Sequence, residues 1–225
     1  MVKKTLYTIG IGLMIASVFM FFNQAYATVV VVDSYSESNY DGSQISVGYN
    51  YSNKMLGQSF TSSTTVTLDS VKFYLTKRDD DTTLGGTITA TIYAETHTIG
   101  YGTDSKPTGT ALATSNSVAP SSVSLTPTFG LVTFNFSGAN RISLTSGTNY
   151  VVVLDGTNLT GESNYKTLII VGRDSTPSLT NGNGSFTSDG TTWSITTYDD
   201  VFYVYGDNGG GGTTVVNDAN NFITF

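Results

Sequence analysis

The run Ser70-Val71-Lys72-Phe73-Tyr74-Leu75-Thr76-Lys77 alternates apolar and polar side chains without a break, and a period of two commits this part of the chain to β structure. It puts Val71, Phe73 and Leu75 on one face and Lys72, Tyr74 and Thr76 on the other. The same alternation returns over residues 87–95, where Ile88, Ala90, Ile92 and Ala94 oppose Thr87, Thr89, Thr91 and Tyr93, and again in Val132, Phe134 and Phe136. Residues 150–154 and 168–171 are unbroken apolar runs, which suit strands covered on both faces. Residues 201–205 predict a last strand with Phe202 and Val204 opposing Val201, Tyr203 and Tyr205, and residues 193–198 its hairpin partner.

Turn signals punctuate these runs at Asp41-Gly42, Leu84-Gly85-Gly86, Pro107-Thr108-Gly109, Ser146-Gly147, Asn181-Gly182-Asn183-Gly184 and Asp189-Gly190. Roughly nine or ten short strands with no helical segments between them predict an all-β chain. The expected architecture is an antiparallel β-sandwich of jelly-roll type, with about eight strands in two sheets. Charged residues make up only 12% of the chain, against about 25% in an ordinary soluble domain. Cysteine is absent, so disulfides and thiolate metal sites are excluded and the hydrophobic core alone must hold the fold.

At the N-terminus, Lys3 and Lys4 precede an apolar run over 6–22 and then Ala25-Tyr26-Ala27, the order of a secretory signal peptide. The expectation is a signal helix over residues 1–27, a single sandwich domain over 28–206 and a Gly-rich linker with a C-terminal tail over 207–225. The protein is then secreted or held at the cell surface, touching a membrane only through an uncleaved signal segment. Loss of Lys3 and Lys4 leaves eight basic side chains against seventeen acidic ones, a net charge of −9. Nucleic acid is excluded as a direct ligand, because the cations are scattered and the one basic pair, Lys77-Arg78, runs straight into Asp79-Asp80-Asp81.

No catalytic constellation is visible. Any Ser–His–Asp arrangement would have to use His97, the only histidine, which follows a predicted strand in a loop. Paired carboxylates for glycoside hydrolysis cannot be singled out among seventeen acids by spacing. A structural calcium ion is the one cofactor considered, with Asp79, Asp80, Asp81, Asp199 and Asp200 as candidate ligands because the ion takes several carboxylate and carbonyl oxygens; solvated loops are the competing reading.

Aromatic side chains are the other functional signal, since a sugar stacks its apolar face on Tyr or Trp while hydroxyls find polar neighbours. Tyr35, Tyr40, Tyr49 and Tyr51 lie in a polar stretch, Tyr101 lies in a glycine-flanked loop, and Trp193 is either an anchor between the sheets or a binding platform. Residues 28–32, Thr-Val-Val-Val-Val, read first as the opening strand of their own sandwich, with completion of the sheet of a neighbouring copy in a surface filament as the competing reading.

The succession Leu56-Gly57-Gln58-Ser59-Phe60, Leu68-Asp69-Ser70-Val71-Lys72-Phe73-Tyr74-Leu75, residues 88–93, Lys106-Pro107-Thr108-Gly109-Thr110-Ala111-Leu112-Ala113, Val132-Thr133-Phe134-Asn135-Phe136 and residues 144–153 resembles the secreted jelly-roll modules called choice-of-anchor domains. The likeness spans about residues 33–206. It implies a β-sandwich of the kind used by carbohydrate-binding modules, carried on surface proteins of bacteria, archaea and phages, with no enzymatic activity. The expected partners are a glycan or another cell-surface ligand, and other copies of the chain.

Overall fold

The computed structural model describes residues 28–48, 51–79, 84–95, 105–161, 167–177 and 182–209. The signal segment, Tyr49, Asp80, Asp81, His97, Tyr101 and the tail beyond Gly209 lie outside the described residues.

Among the described residues the chain is all-β, with antiparallel sheets. In chain order the strands are β1 (Val29–Tyr35), β2 (Ser43–Gly48), β3 (Met55–Thr61), β4 (Val66–Asp79), β5 (Gly85–Gly86), β6 (Thr89–Glu95), β7 (Pro107–Thr114) and β8 (Gly130–Asn135). They continue with β9 (Ser143–Leu144), β10 (Asn149–Asp155), β11 (Leu159–Thr160), β12 (Thr167–Asp174), β13 (Gly184–Thr187), β14 (Trp193–Thr196), β15 (Asp199–Asp200) and β16 (Phe202–Asp207). One sheet runs β1-β16-β4-β12-β15, with β2 beside β12 and β8 and β9 beside β4. The other runs β14-β13-β3-β10-β6-β7, and β5 and β11 form a short ribbon.

The two sheets share one hydrophobic core. Phe60 of β3 meets Phe202 of β16 across it, ring centroids 6.3 Å apart, and Phe73 of β4 meets Phe134 of β8 edge-on at 6.0 Å. The alternation read in β4 holds: Val71, Phe73 and Leu75 are buried in the core, while Tyr74 turns to the other face. Thr76 departs from it. Expected on the open face, it is fully buried, because the segment around Ser124 crosses there and the Ser124 carbonyl accepts the Thr76 hydroxyl at 3.2 Å. The unbroken apolar runs of β10 and β12 are buried along their whole length from Tyr150 to Leu154 and from Leu168 to Val171, as strands covered on both faces should be.

One expectation about pairing is corrected. Strand β14 is not the hairpin partner of β16; it pairs with β13 in the six-stranded sheet, Trp193 opposite Thr187. After Thr196 the chain passes through Tyr198, whose carbonyl accepts the Gly184 N–H, and enters the eight-stranded sheet at β15. Asp199-Asp200 is therefore a short buried strand against Arg173-Asp174 of β12, not a solvated loop. Strand β1 pairs with β16 of its own chain, so that Val29 stands opposite Asp207 and the two ends of the domain lie side by side.

Candidate functional site

A cleft of about 510 Å³ opens on the outer face of the six-stranded sheet, and its position follows from a slip in one ladder. Ile92 of β6 pairs with Ala113 of β7, but Ala94 pairs with Thr108. Four residues of β7, Gly109 to Leu112, therefore stand opposite Tyr93 alone and swing outward, all of them exposed. Gly109 makes this excursion with φ at +71°, a conformation that favours glycine. Such irregularities re-aim the side chains beside them, and here the excursion forms one wall while Tyr93 faces the space it leaves.

The opposite wall comes from the turn between β13 and β14, which contributes Gly190, Thr191 and Trp193. Asp189 builds that turn. Its Oδ1 accepts the N–H groups of Thr191 and Thr192 at 2.8 and 2.7 Å and the Thr187 hydroxyl at 2.9 Å. These hydrogen bonds, the Thr192 and Thr191 N–H groups foremost, hold the Asp189 carboxyl far below the usual carboxylate range. Gly190 completes the turn at φ +80°.

Between the walls the sheet is close-fitting. Val151 and Val153 point away from the shared core, yet both are fully buried. The Trp193 ring reaches back over Gly57 of β3: a methyl group added to Gly57 would come within 2.6 Å of Ser185 Oγ, 3.0 Å of Val151 Cγ1 and 3.4 Å of Trp193 Cζ3. The missing side chain at Gly57 is thus what lets the indole lie down on the sheet. At one end the face is bridged by Asn183, which takes the Ser59 hydroxyl on its carbonyl and donates from Nδ2 to the Ser105 carbonyl at 3.0 Å.

The sequence-predicted residues are distributed differently. Trp193 lines the cleft, half-buried, and is not an anchor between the sheets. Tyr35 is taken out of any stacking surface by burial in the core, where its hydroxyl donates to Asp174 Oδ2 at 2.5 Å. Tyr40 packs on the outer face of the eight-stranded sheet against Tyr74 and Phe129, ring centroids 5.6 and 5.1 Å away. Tyr51 is half-buried just past β2, its N–H bonded to the Gly48 carbonyl. Tyr93, absent from the sequence-based candidates, had a signal there: an aromatic residue on the polar face of an alternating strand.

The acidic candidates Asp199 and Asp200 turn inward and clamp the two sheets together. Gln58 of β3 donates from Nε2 to Asp199 Oδ1 at 2.8 Å and accepts the Asp200 N–H on Oε1 at 2.8 Å. Arg173 donates to Asp200, and the Tyr198 ring lies over its guanidinium at 5.3 Å. Burial above all, with repulsion from Asp200 and Asp174, raises the Asp199 carboxyl to about 7 against the pull of Gln58 and Arg173. Among the described residues no group of three or more His, Asp or Glu side chains is arranged to hold a metal ion. Asp79 closes β4 and pairs with Thr167.

Among the described residues no helix is long and apolar enough to cross a membrane. No protein-family model matches this chain, and no curated protein matches its sequence.

Proposed function

We propose that this chain is a secreted, non-catalytic surface module of jelly-roll type that binds carbohydrate, and that the cleft between the β7 excursion and the β13–β14 turn is the binding site. One observation carries the reading: two half-buried aromatic residues, Trp193 and Tyr93, from different strands of the six-stranded sheet, line the same cleft together with Thr108, Thr110 and Thr191. Rings supply broad apolar contact at little conformational cost, and hydroxyls around them satisfy polar groups of the ligand. A volume of about 510 Å³ falls within the roughly 300–1,000 Å³ usual for small-ligand sites. The resemblance to choice-of-anchor domains and the signal-like N-terminus favour the same reading, an adhesive or attachment role outside the cell.

The test is a glycan array probed with the full chain and with Trp193→Ala. Binding to a defined glycan that the variant loses supports the reading; an array that stays blank, or binding that the variant leaves untouched, overturns it.

A second reading, a filament subunit assembled by strand exchange, takes its support from Val29 and Val31, which are 39% and 41% exposed on the edge strand β1. Light scattering on the full chain tests it, with large ordered oligomers as the expected result and a monomer as the result against it.

A further inference from the structure

The cleft also carries information about which glycans it takes, an inference that rests on the carbohydrate-binding reading. No side chain lining it bears a charge. Apart from the Trp193 indole N–H, the polar side chains among the lining residues all carry hydroxyls: Thr108, Thr110, Thr191 and Tyr93. Hydroxyls donate and accept with equal ease and suit a ligand whose own polar groups are hydroxyls.

Charged residues of both signs flank the lining without entering it, with Lys106 beside Pro107 and Glu95 paired opposite it. Asp189 stands one residue from Gly190, held ionised by the turn it builds. Asp155, on the neighbouring strand β10, acts on Tyr93 through its charge and adds to the effect of burial in raising that phenol. No guanidinium or ammonium group is among the lining side chains, and the chain as a whole has a net charge of −7. An anionic ligand would have to shed its hydration with no cationic side chain in the lining to replace it, whereas a neutral one makes no such demand.

We infer that the cleft selects neutral, hydroxyl-rich glycans and rejects those that carry carboxylate or sulfate groups. Stacking on Trp193 and Tyr93 supplies the contact, so affinity is insensitive to salt. This differs from the behaviour of surfaces that hold acidic polysaccharides through lysine and arginine, whose affinity falls as salt rises.

Affinity electrophoresis and calorimetry on the full chain test this with three neutral polymers, a β-glucan, a mannan and a galactan, and three acidic ones, polygalacturonate, alginate and heparin. Each is measured at low and high salt. The expected result is retention by at least one neutral polymer, unchanged by salt, and none by the acidic set. Tyr93→Ala should weaken that binding at least about tenfold. Ala111→Trp, a substitution on the exposed excursion that leaves the core untouched, should block it by filling the cleft.

Salt-sensitive binding of an acidic polymer that both variants abolish overturns the selectivity while leaving a glycan site in the cleft. Binding of no polymer in either set overturns the carbohydrate reading itself. Neutral binding that survives both variants places the site elsewhere and overturns the assignment to the cleft.

Discussion

Arg173 donates from both Nε and Nη2 to one oxygen of Asp200, at 2.9 and 2.6 Å, and leaves the other oxygen, Oδ2, buried without a hydrogen-bond partner among the described residues. Both side chains are almost wholly withdrawn from solvent. A buried pair of this kind contributes little net stability as a pair, but removing one partner strands the other charge in the interior. Arg173→Met should therefore cost about 3–5 kcal/mol in a urea titration. The paired replacement Arg173→Met with Asp200→Leu should recover most of the loss. A single variant as stable as the parent chain would show that the pair is already open to water.

The same clamp gives stability an unusual dependence on pH. Asp199 has its folded value raised to about 7 from an ordinary 3.8. A group raised in this way favours the folded state while protonated, so its contribution is complete below about pH 4 and is lost as the pH climbs through about 7. Burial raises Asp200 and Asp33 in the same direction, whereas Asp41 and Asp189, held low by hydrogen bonds, act the opposite way only in strong acid. The melting temperature should be higher near about pH 5 than near about pH 8, and Asp199→Asn should flatten that slope and stabilise the chain at the higher pH. A slope that Asn leaves intact would assign the effect to another group.

Asp189 should act through the turn it organises. Asp189→Ala removes the acceptor shared by the Thr191 and Thr192 amides, and hydrogen exchange at those two positions should speed up while the amides of β10 keep their protection. Unchanged exchange would mean that the turn is held by the strands alone.

Gly57 is expected to be intolerant of side chains. Gly57→Val would drive atoms into Ser185 and Val151 and lift the Trp193 ring from the sheet, at a cost of about 1–3 kcal/mol. Trp193 is the only tryptophan in the chain, so its emission reads the change directly. A red shift is expected, and an unmoved spectrum would show that the indole does not rest on Gly57.

Much of the fold was legible because period-two alternation fixes which face of a strand is buried, as in β4 and in residues 88–92, whereas Ala94, expected on the core face, lies past the slip against β7 and is half-buried. The turn glycines were legible as well: Gly42, Gly86, Gly147 and Gly190 all adopt positive φ. What local sequence could not show was partnership between distant segments. Nothing near Trp193 says that β14 pairs with β13 and not with β16, because that choice is made by Tyr198 and Gly184, where the chain leaves one sheet for the other. Nor does Pro107-Thr108-Gly109 look like anything but a turn; it is the start of an excursion within a strand, visible only once the register against β6 is known. Asp199-Asp200 reads as a soluble loop until Gln58 and Arg173, far away in the chain, are placed beside it.

The side-by-side exit of Val29 and Asp207 sets how the domain carries mechanical load. A pull applied through the chain beyond both residues opens the β1–β16 ladder from its end, one pair of hydrogen bonds at a time, as a zipper opens. A pull between the cleft and the Asp207 end alone runs instead through the sheets and across the core, loading many interactions together. Load that enters at Asp207 passes from β16 into its inner neighbour β4, and the edge strand β1 lies outside that path.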